Sequence, residues 1–196
     1  DYLVPTSREA LLSDPAAPSS MQTLTETTSI NGLVYSLVYA AASQTFTATT
    51  PEGRSLVTLI DAQGRPLSEQ QGDLLPVLFT YDARGRLETI SQGSGEDERK
   101  LVISYEPSGF PDTITDPLGR VTSFDYDLAG RLIQETLPAG RVVSYAYDDN
   151  SNLTSLTPPS QPEHIFAYTP LDLVETYLPP PVGAGSDQTQ PSTLSA

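Results

Sequence analysis

"YDARGRLETI", residues 81–90, comes back as "YDLAGRLIQE" at 126–135 and, eroded, as "YDDNSNLTSL" at 147–156. A tyrosine, an aspartate and an arginine this close together have the makings of a reactive cluster. Their recurrence argues otherwise, because an active site is a unique constellation, whereas residues placed by a period serve the period. Aligning the position three residues after the acid puts Gly64 of "DAQG", Gly85 of "YDARG", Gly109 of "YEPSG" and Gly130 of "YDLAG" in one series, continued by Ser151 and Asp172. The steps are 21, 24, 21, 21 and 21 residues, and the long step contains the insertion "GSGEDER". A second series lies midway, in "PEGR" ending at Arg54, "DPLGR" at Arg120 and "LPAGR" at Arg141. The unit is a 21-residue repeat of two half-repeats.

Each half-repeat has a direct physical reading. Asp at the first turn position accepts backbone N–H bonds, and Gly at the fourth takes the left-handed conformation. A type I turn followed by left-handed Gly closes a hairpin with a bulge. Asp61 with Gly64, Asp82 with Gly85, Asp116 with Gly119 and Asp127 with Gly130 fit this pattern, as do Gly109, Gly140 and Asp148 in partial form. Tyr81, Tyr105, Tyr126 and Tyr147 end the strand before a turn; Arg65, Arg86, Arg120, Arg131 and Arg141 begin the strand after one, followed by Leu87 and Leu132 in the best-kept copies. Runs such as "RVTSFDY" (120–126) and "RVVSYAY" (141–147) are β-branched and aromatic with period 2, so they read as strands. Alternate turns of a meander fall at opposite ends of the strands. The Tyr-Asp turns therefore line one edge of the sheet and the "P-x-G-R" turns the other. The arginines are expected to pair with carboxylates of neighbouring turns in a ladder, and the tyrosine rings to stack along the edge.

The reading divides the chain into an irregular segment at 1–21, a β-sheet region at 22–178 and a Pro/Gly/Ser-rich tail at 179–196. A single helical turn is expected near Ser7–Ser13. "ING" at 30–32 and "AAAS" at 40–43 mark further hairpins. Roughly fourteen strands result, more than an open twisted sheet carries before it curls or closes. The fold class is all-β: an antiparallel meander forming part of a spiralling β-shell or barrel.

Composition narrows the function. Ten Lys and Arg stand against 25 Asp and Glu, a formal charge of −15, which argues against nucleic acid and anionic membrane as partners. The absence of cysteine removes disulfides, zinc thiolates and thiol nucleophiles. No apolar run approaches a membrane span, and the start at Asp1 reads as that of an excised or processed piece. His164, the only histidine, has no orienting partner designated by the sequence. "DDNSN" (148–152) has alternating oxygen ligands but lacks the Gly and distant Glu of a calcium loop. No catalytic, metal-binding or cofactor-binding residue is assigned, and no cofactor is expected.

"YDARGRL", "YDLAGRL", "DPLGR" and "TPEGR" resemble the YD repeats of rearrangement-hotspot (Rhs) proteins, teneurins and the cocoon-forming subunits of insecticidal toxin complexes. The likeness runs from about Ile30 to Pro181. It implies a hollow β-shell around a C-terminal toxin, or in teneurins a barrel within an adhesion ectodomain. It also implies, as partners, the rest of the shell, its cargo and secretion or adaptor proteins, and a place outside a bacterial cell. In the family, self-cleaving aspartates sit in a terminal "DPxG" segment. "DPLG" (116–119) lies inside the repeat series and takes a turn role, so no protease residue is carried over. The expected function is that of a shell section enclosing a toxin; the alternative is an adhesion or carbohydrate-binding module on the same repeats. Aromatics spread along the repeat, instead of gathered in one or two loops, favour the shell.

Overall fold

The computed structural model describes residues 4–181. Its strands are β1 (Val4–Leu12), β2 (Met21–Ile30), β3 (Leu33–Ala40), β4 (Thr45–Thr49), β5 (Ser55–Ile60), β6 (Pro66–Gln71), β7 (Val77–Tyr81) and β8 (Leu87–Gln92), followed by β9 (Arg99–Tyr105), β10 (Pro111–Thr115), β11 (Val121–Tyr126), β12 (Leu132–Leu137), β13 (Arg141–Tyr147), β14 (Leu153–Thr157), β15 (His164–Tyr168) and β16 (Val174–Leu178). They form one antiparallel sheet of sixteen strands whose order is the chain order. Three single 3-10 turns, Pro18–Ser20, Gly95–Asp97 and Pro138–Gly140, interrupt the meander, and no α-helix occurs among the described residues. The chain divides into two compact units, residues 1–101 and 102–196.

The N-terminal segment corrects the sequence reading. Instead of an irregular stretch with a helical turn, Val4–Leu12 is a strand paired with β2 from Val4↔Ser29 to Leu12↔Met21. Non-local partners override a weak local preference here. The Ser7 hydroxyl meets that of Thr27 at 2.9 Å, and Arg8 pairs with Glu26 at 2.9 Å. A sheet edge was available, and the chain took it. The tail expected from 179 lies, from residue 182 onward, outside the described residues.

Directly opposed residues share a face of a sheet, so the registers sort the side chains. In the first unit one face carries the row Thr25, Val38, Thr47, Val57, Gln70, and beside it Thr27, Ser36, Thr49, Ser55. The other face carries Leu24, Tyr39, Phe46, Thr58, Glu69, with the Tyr39 and Phe46 rings 4.8 Å apart. The second unit repeats the division. Ser104, Thr113, Ser123 and Thr136 share one face; Phe124, Glu135 and Val143 share the other. Each unit is therefore a wall with a hydroxyl-rich side and a more apolar, aromatic side.

No large hydrophobic side chain is buried among the described residues, whose only buried members are the polar Thr89 and Ser91. Order rests instead on the strand ladders and on what happens at the turns.

Candidate functional site: the tyrosine–aspartate turns

The hairpin ending in Asp82 shows the local chemistry in full. The Asp82 N–H donates to the Arg86 carbonyl and the Gly85 N–H to the Asp82 carbonyl, both at 2.9 Å. Asp82 Oδ1 accepts the N–H groups of Arg84 and Arg86, each at 2.9 Å. Asp82 Oδ2 takes Nε and Nη2 of Arg86, each at 2.7 Å. One carboxylate thus satisfies two turn amides and a guanidinium fork. Gly85 sits at φ 81°, as the bulge demands.

The same arrangement recurs at Asp61–Arg65, Asp116–Arg120 and Asp127–Arg131. The expected ladder between neighbouring turns is corrected by these pairs: each arginine binds the aspartate of its own turn. The reason is geometric, because the bulge folds position five back over position one within bidentate reach. The backbone pattern extends to turns with other residues, Thr50–Arg54, Glu106–Phe110, Asp148–Asn152 and Thr169–Leu173. Six of the eight, at Asp61, Asp82, Glu106, Asp127, Asp148 and Thr169, connect an odd-numbered strand to the next even one and so share an edge; those at Thr50 and Asp116 lie on the other. The left-handed position is Gly except at Ser151 (φ 70°) and Asp172 (φ 60°).

These contacts hold the aspartates in their charged form. The carboxyls of Asp82 and Asp127 lie below the usual range chiefly through the backbone N–H of the arginine four residues on. For Asp116 the leading cause is the Arg120 side chain, and for Asp148 the Asn152 amide. At Asp61 partial desolvation is the largest single influence and acts upward, but the hydrogen bonds from Arg65 and Gln63 together outweigh it.

What links one turn to the next is the tyrosine. Tyr81, Tyr147 and Tyr168 each donate their hydroxyl to a carbonyl fifteen residues earlier, those of Pro66, Leu132 and Leu153, at 2.8, 2.9 and 3.0 Å. The residue at position five of the preceding turn lies on the ring. Arg65 is 4.4 Å from the Tyr81 centroid and Arg131 is 5.0 Å from that of Tyr147. Where position five is Phe110, it stacks on Tyr126 with centroids 4.9 Å apart. The rings alternate with these side chains instead of stacking on one another as the sequence reading expected.

The same position-five side chains then reach the next turn's glycine. An added Cβ on Gly85 would meet Arg65 Nη1 at 2.7 Å, and one on Gly130 would meet Phe110 Cζ at 2.7 Å. Where glycine is replaced, polar contacts take over: Arg131 Nη1 donates to the Asp148 carbonyl at 2.8 Å and approaches the Ser151 hydroxyl at 3.2 Å. Asn152 Nδ2 donates to Asp172 Oδ1 at 2.8 Å, as does Asn150 at 3.0 Å. Phe110 standing in for arginine was not anticipated; its place five in "EPSGF" was the available signal.

The remaining residues singled out in the sequence fall at strand ends and in turns. Tyr105 ends β9, Leu87 and Leu132 begin strands, and Arg141 follows the Pro138–Gly140 turn, its Nε 3.5 Å from the Pro138 carbonyl. Gly119 and Gly140 sit at φ 74° and 73° on the opposite edge. His164 begins β15 and has a partner that spacing alone did not reveal: Nδ1 lies 2.7 Å from the Tyr177 hydroxyl. Asp148 spends Oδ1 on the amides of Asn150 and Asn152 and Oδ2 on the Asn152 side chain.

A sheet with this edge is the wall of a YD-shell. The teneurin YD-shell family profile matches residues 6–190, and the chain belongs to that family. No curated protein matches it. Among solved structures it is similar to "TcdB2-TccC3-Cdc42" (15% identity, TM-score 0.57, 81% of this chain against 8% of that one). It is also similar to a Photorhabdus luminescens Tc holotoxin pore (15% identity, TM-score 0.56, 80% of this chain against 9% of that one). A third, "TcdB2-TccC3", aligns with 14% identity, a TM-score of 0.55 and 82% of this chain against 9% of that one. At such identities the likeness is one of fold, and this chain spans less than a tenth of the length of those chains. The repeat is that of a shell scaffold.

Proposed function

We propose that this chain is one section of the wall of a YD-repeat shell that encloses a C-terminal toxin or effector domain for delivery outside the producing cell. The observation that supports this reading most is the sheet of sixteen strands with no buried large hydrophobic side chain among the described residues. A self-sufficient domain buries one layer against another. A wall leaves its two sides to be covered by further wall and by contents. The residues assigned in the sequence, Asp61 through Asp148, act in this reading as spacers that hold consecutive hairpins at constant separation. Partners are the remaining repeats, the cargo and a secretion or adaptor component; the acidic surface disfavours nucleic acid.

Limited proteolysis of the full-length protein tests it. A domain downstream of the repeats resists protease while the shell is intact and becomes sensitive when Asp82→Ala and Asp127→Ala loosen two turns. Equal sensitivity before and after loosening, with the repeats still folded, would overturn the enclosure reading. Saturable binding to an immobilised glycan panel, with no protected downstream domain, would favour adhesion instead.

A further inference from the structure

A cavity of about 670 Å³ opens on the aromatic side of the first unit. Its floor follows from the registers. Glu26, Leu37, Ala48, Leu56 and Gln71 lie opposite one another across β2 to β6. In that row a methyl stands between two leucines, so the sheet surface dips at Ala48 and rises at Leu37 and Leu56. Tyr35 and Arg54 also line the cavity. Leu37 and Leu56 keep 37% and 40% of their surface exposed, and Tyr35 38%, so a sizeable apolar lining faces solvent. The volume falls within the range that small-molecule sites occupy.

The charges at this cavity are unequal. Glu26 is already paired, at 2.9 Å, with Arg8. Arg54 is not. It follows a turn glycine as Arg65, Arg86, Arg120 and Arg131 do, yet the first position of its turn is Thr50 instead of an aspartate. The Thr50 hydroxyl only accepts the Arg54 backbone N–H, at 3.3 Å. No carboxylate among the described residues forms an ion pair with the Arg54 guanidinium, whereas those four arginines each hold one. The substitution that breaks the repeat therefore releases a guanidinium at the rim of an apolar depression.

We propose that this cavity is a binding site for a small amphipathic monocarboxylate. Its apolar body rests on Ala48 between Leu37 and Leu56 and against Tyr35, while its carboxylate takes the Arg54 guanidinium in the place a turn aspartate occupies elsewhere. The site is independent of the shell reading, since it uses one face of one unit and a charge that the repeat leaves unspent. A cationic ligand is disfavoured because Glu26 is already neutralised. A neutral apolar ligand would leave Arg54 without a role.

The test uses 3-phenylpropionate and its neutral counterpart 3-phenylpropan-1-ol as probes, followed by the NMR shift of the Ala48 methyl group in the full chain. The acid shifts that methyl saturably while the methyl of Ala129, in a remote turn, stays still. Arg54→Gln weakens the acid about fivefold or more, the scale of a lost charge-assisted pair, and leaves the alcohol unchanged. Ala48→Phe, which fills the depression, abolishes binding of both. Arg54 is exposed at a turn whose backbone bonds do not use its side chain, so Arg54→Gln remains informative even if Ala48→Phe fails to fold. Absence of saturable binding to the wild type, or equal affinity of wild type and Arg54→Gln for the acid, overturns the assignment.

Discussion

The Arg65 guanidinium lies over the ring of Tyr81, 4.4 Å from its centroid, while the same group holds Asp61 at 2.7 Å and approaches Gly85. Three successive features of the repeat, the acid of the same turn, the next strand's tyrosine and the glycine of the next turn along that edge, thus meet on one side chain. Removing it loosens two hairpins at once. Arg65→Lys keeps the charge but loses the planar fork, and is expected to destabilise the chain by about 1 kcal/mol in denaturant titration. Tyr81→Phe, which deletes only the hydroxyl bound to the Pro66 carbonyl, costs about as much.

Glycines of the same turn type should not be equivalent. Alanine in the left-handed region costs about 1 kcal/mol at any of them. Gly119 has open space where a Cβ would go, Gly85 has the tip of a flexible arginine, and Gly130 has an aromatic ring at 2.7 Å. Gly130→Ala is expected to cost about 1 kcal/mol or more beyond Gly119→Ala, with Gly85→Ala between them. Urea midpoints of the three variants check the order.

Two of the eight turns of this repeat type carry a left-handed residue other than glycine, and they should respond oppositely to repair. Ser151→Gly relieves backbone strain and gives up one 3.2 Å contact with Arg131, so it stabilises by up to about 1 kcal/mol. Asp172→Gly gives up the carboxylate that receives both Asn150 and Asn152, so no gain is expected. Thermal melting of the two variants distinguishes them.

Acid should dissolve the turn chemistry. Asp61, Asp82, Asp116, Asp127 and Asp148 all have folded-state acidities held below the ordinary carboxyl range. Their stabilisation is therefore complete above the unfolded value of about 3.9 and is lost as pH falls through the lower folded values. The contribution of these groups is flat from pH 7 to about 5 and declines below about 4. Asp82→Asn should flatten that decline in melting temperature measured against pH; an unchanged slope would count against the role given to Asp82.

Among the described residues β1 pairs only with β2 and β16 only with β15, which leaves two open ladder edges. Open edges are templates for another strand. The isolated chain is expected to associate with itself, visible as a molar mass that rises with concentration in light scattering. A monomer at high concentration would speak against it.

The all-β class, the 21-residue period and the turn positions were legible in the sequence, because turn chemistry is local: an aspartate, its left-handed glycine and the arginine after it fall within five residues. Three things were not. Val4–Leu12 became a strand because β2 offered a ladder, whose partners lie from nine residues away at Leu12↔Met21 to twenty-five at Val4↔Ser29. Arginine took its own aspartate instead of a neighbour's because the bulge, a three-dimensional feature, sets which carboxylate is in reach. Phe110 replaced arginine over Tyr126 because that slot asks for a flat side chain, charged or not, a requirement expressed only when one hairpin lies beside the next. Local hydrogen bonding wrote the repeat; contact between repeats decided what each copy of it touches.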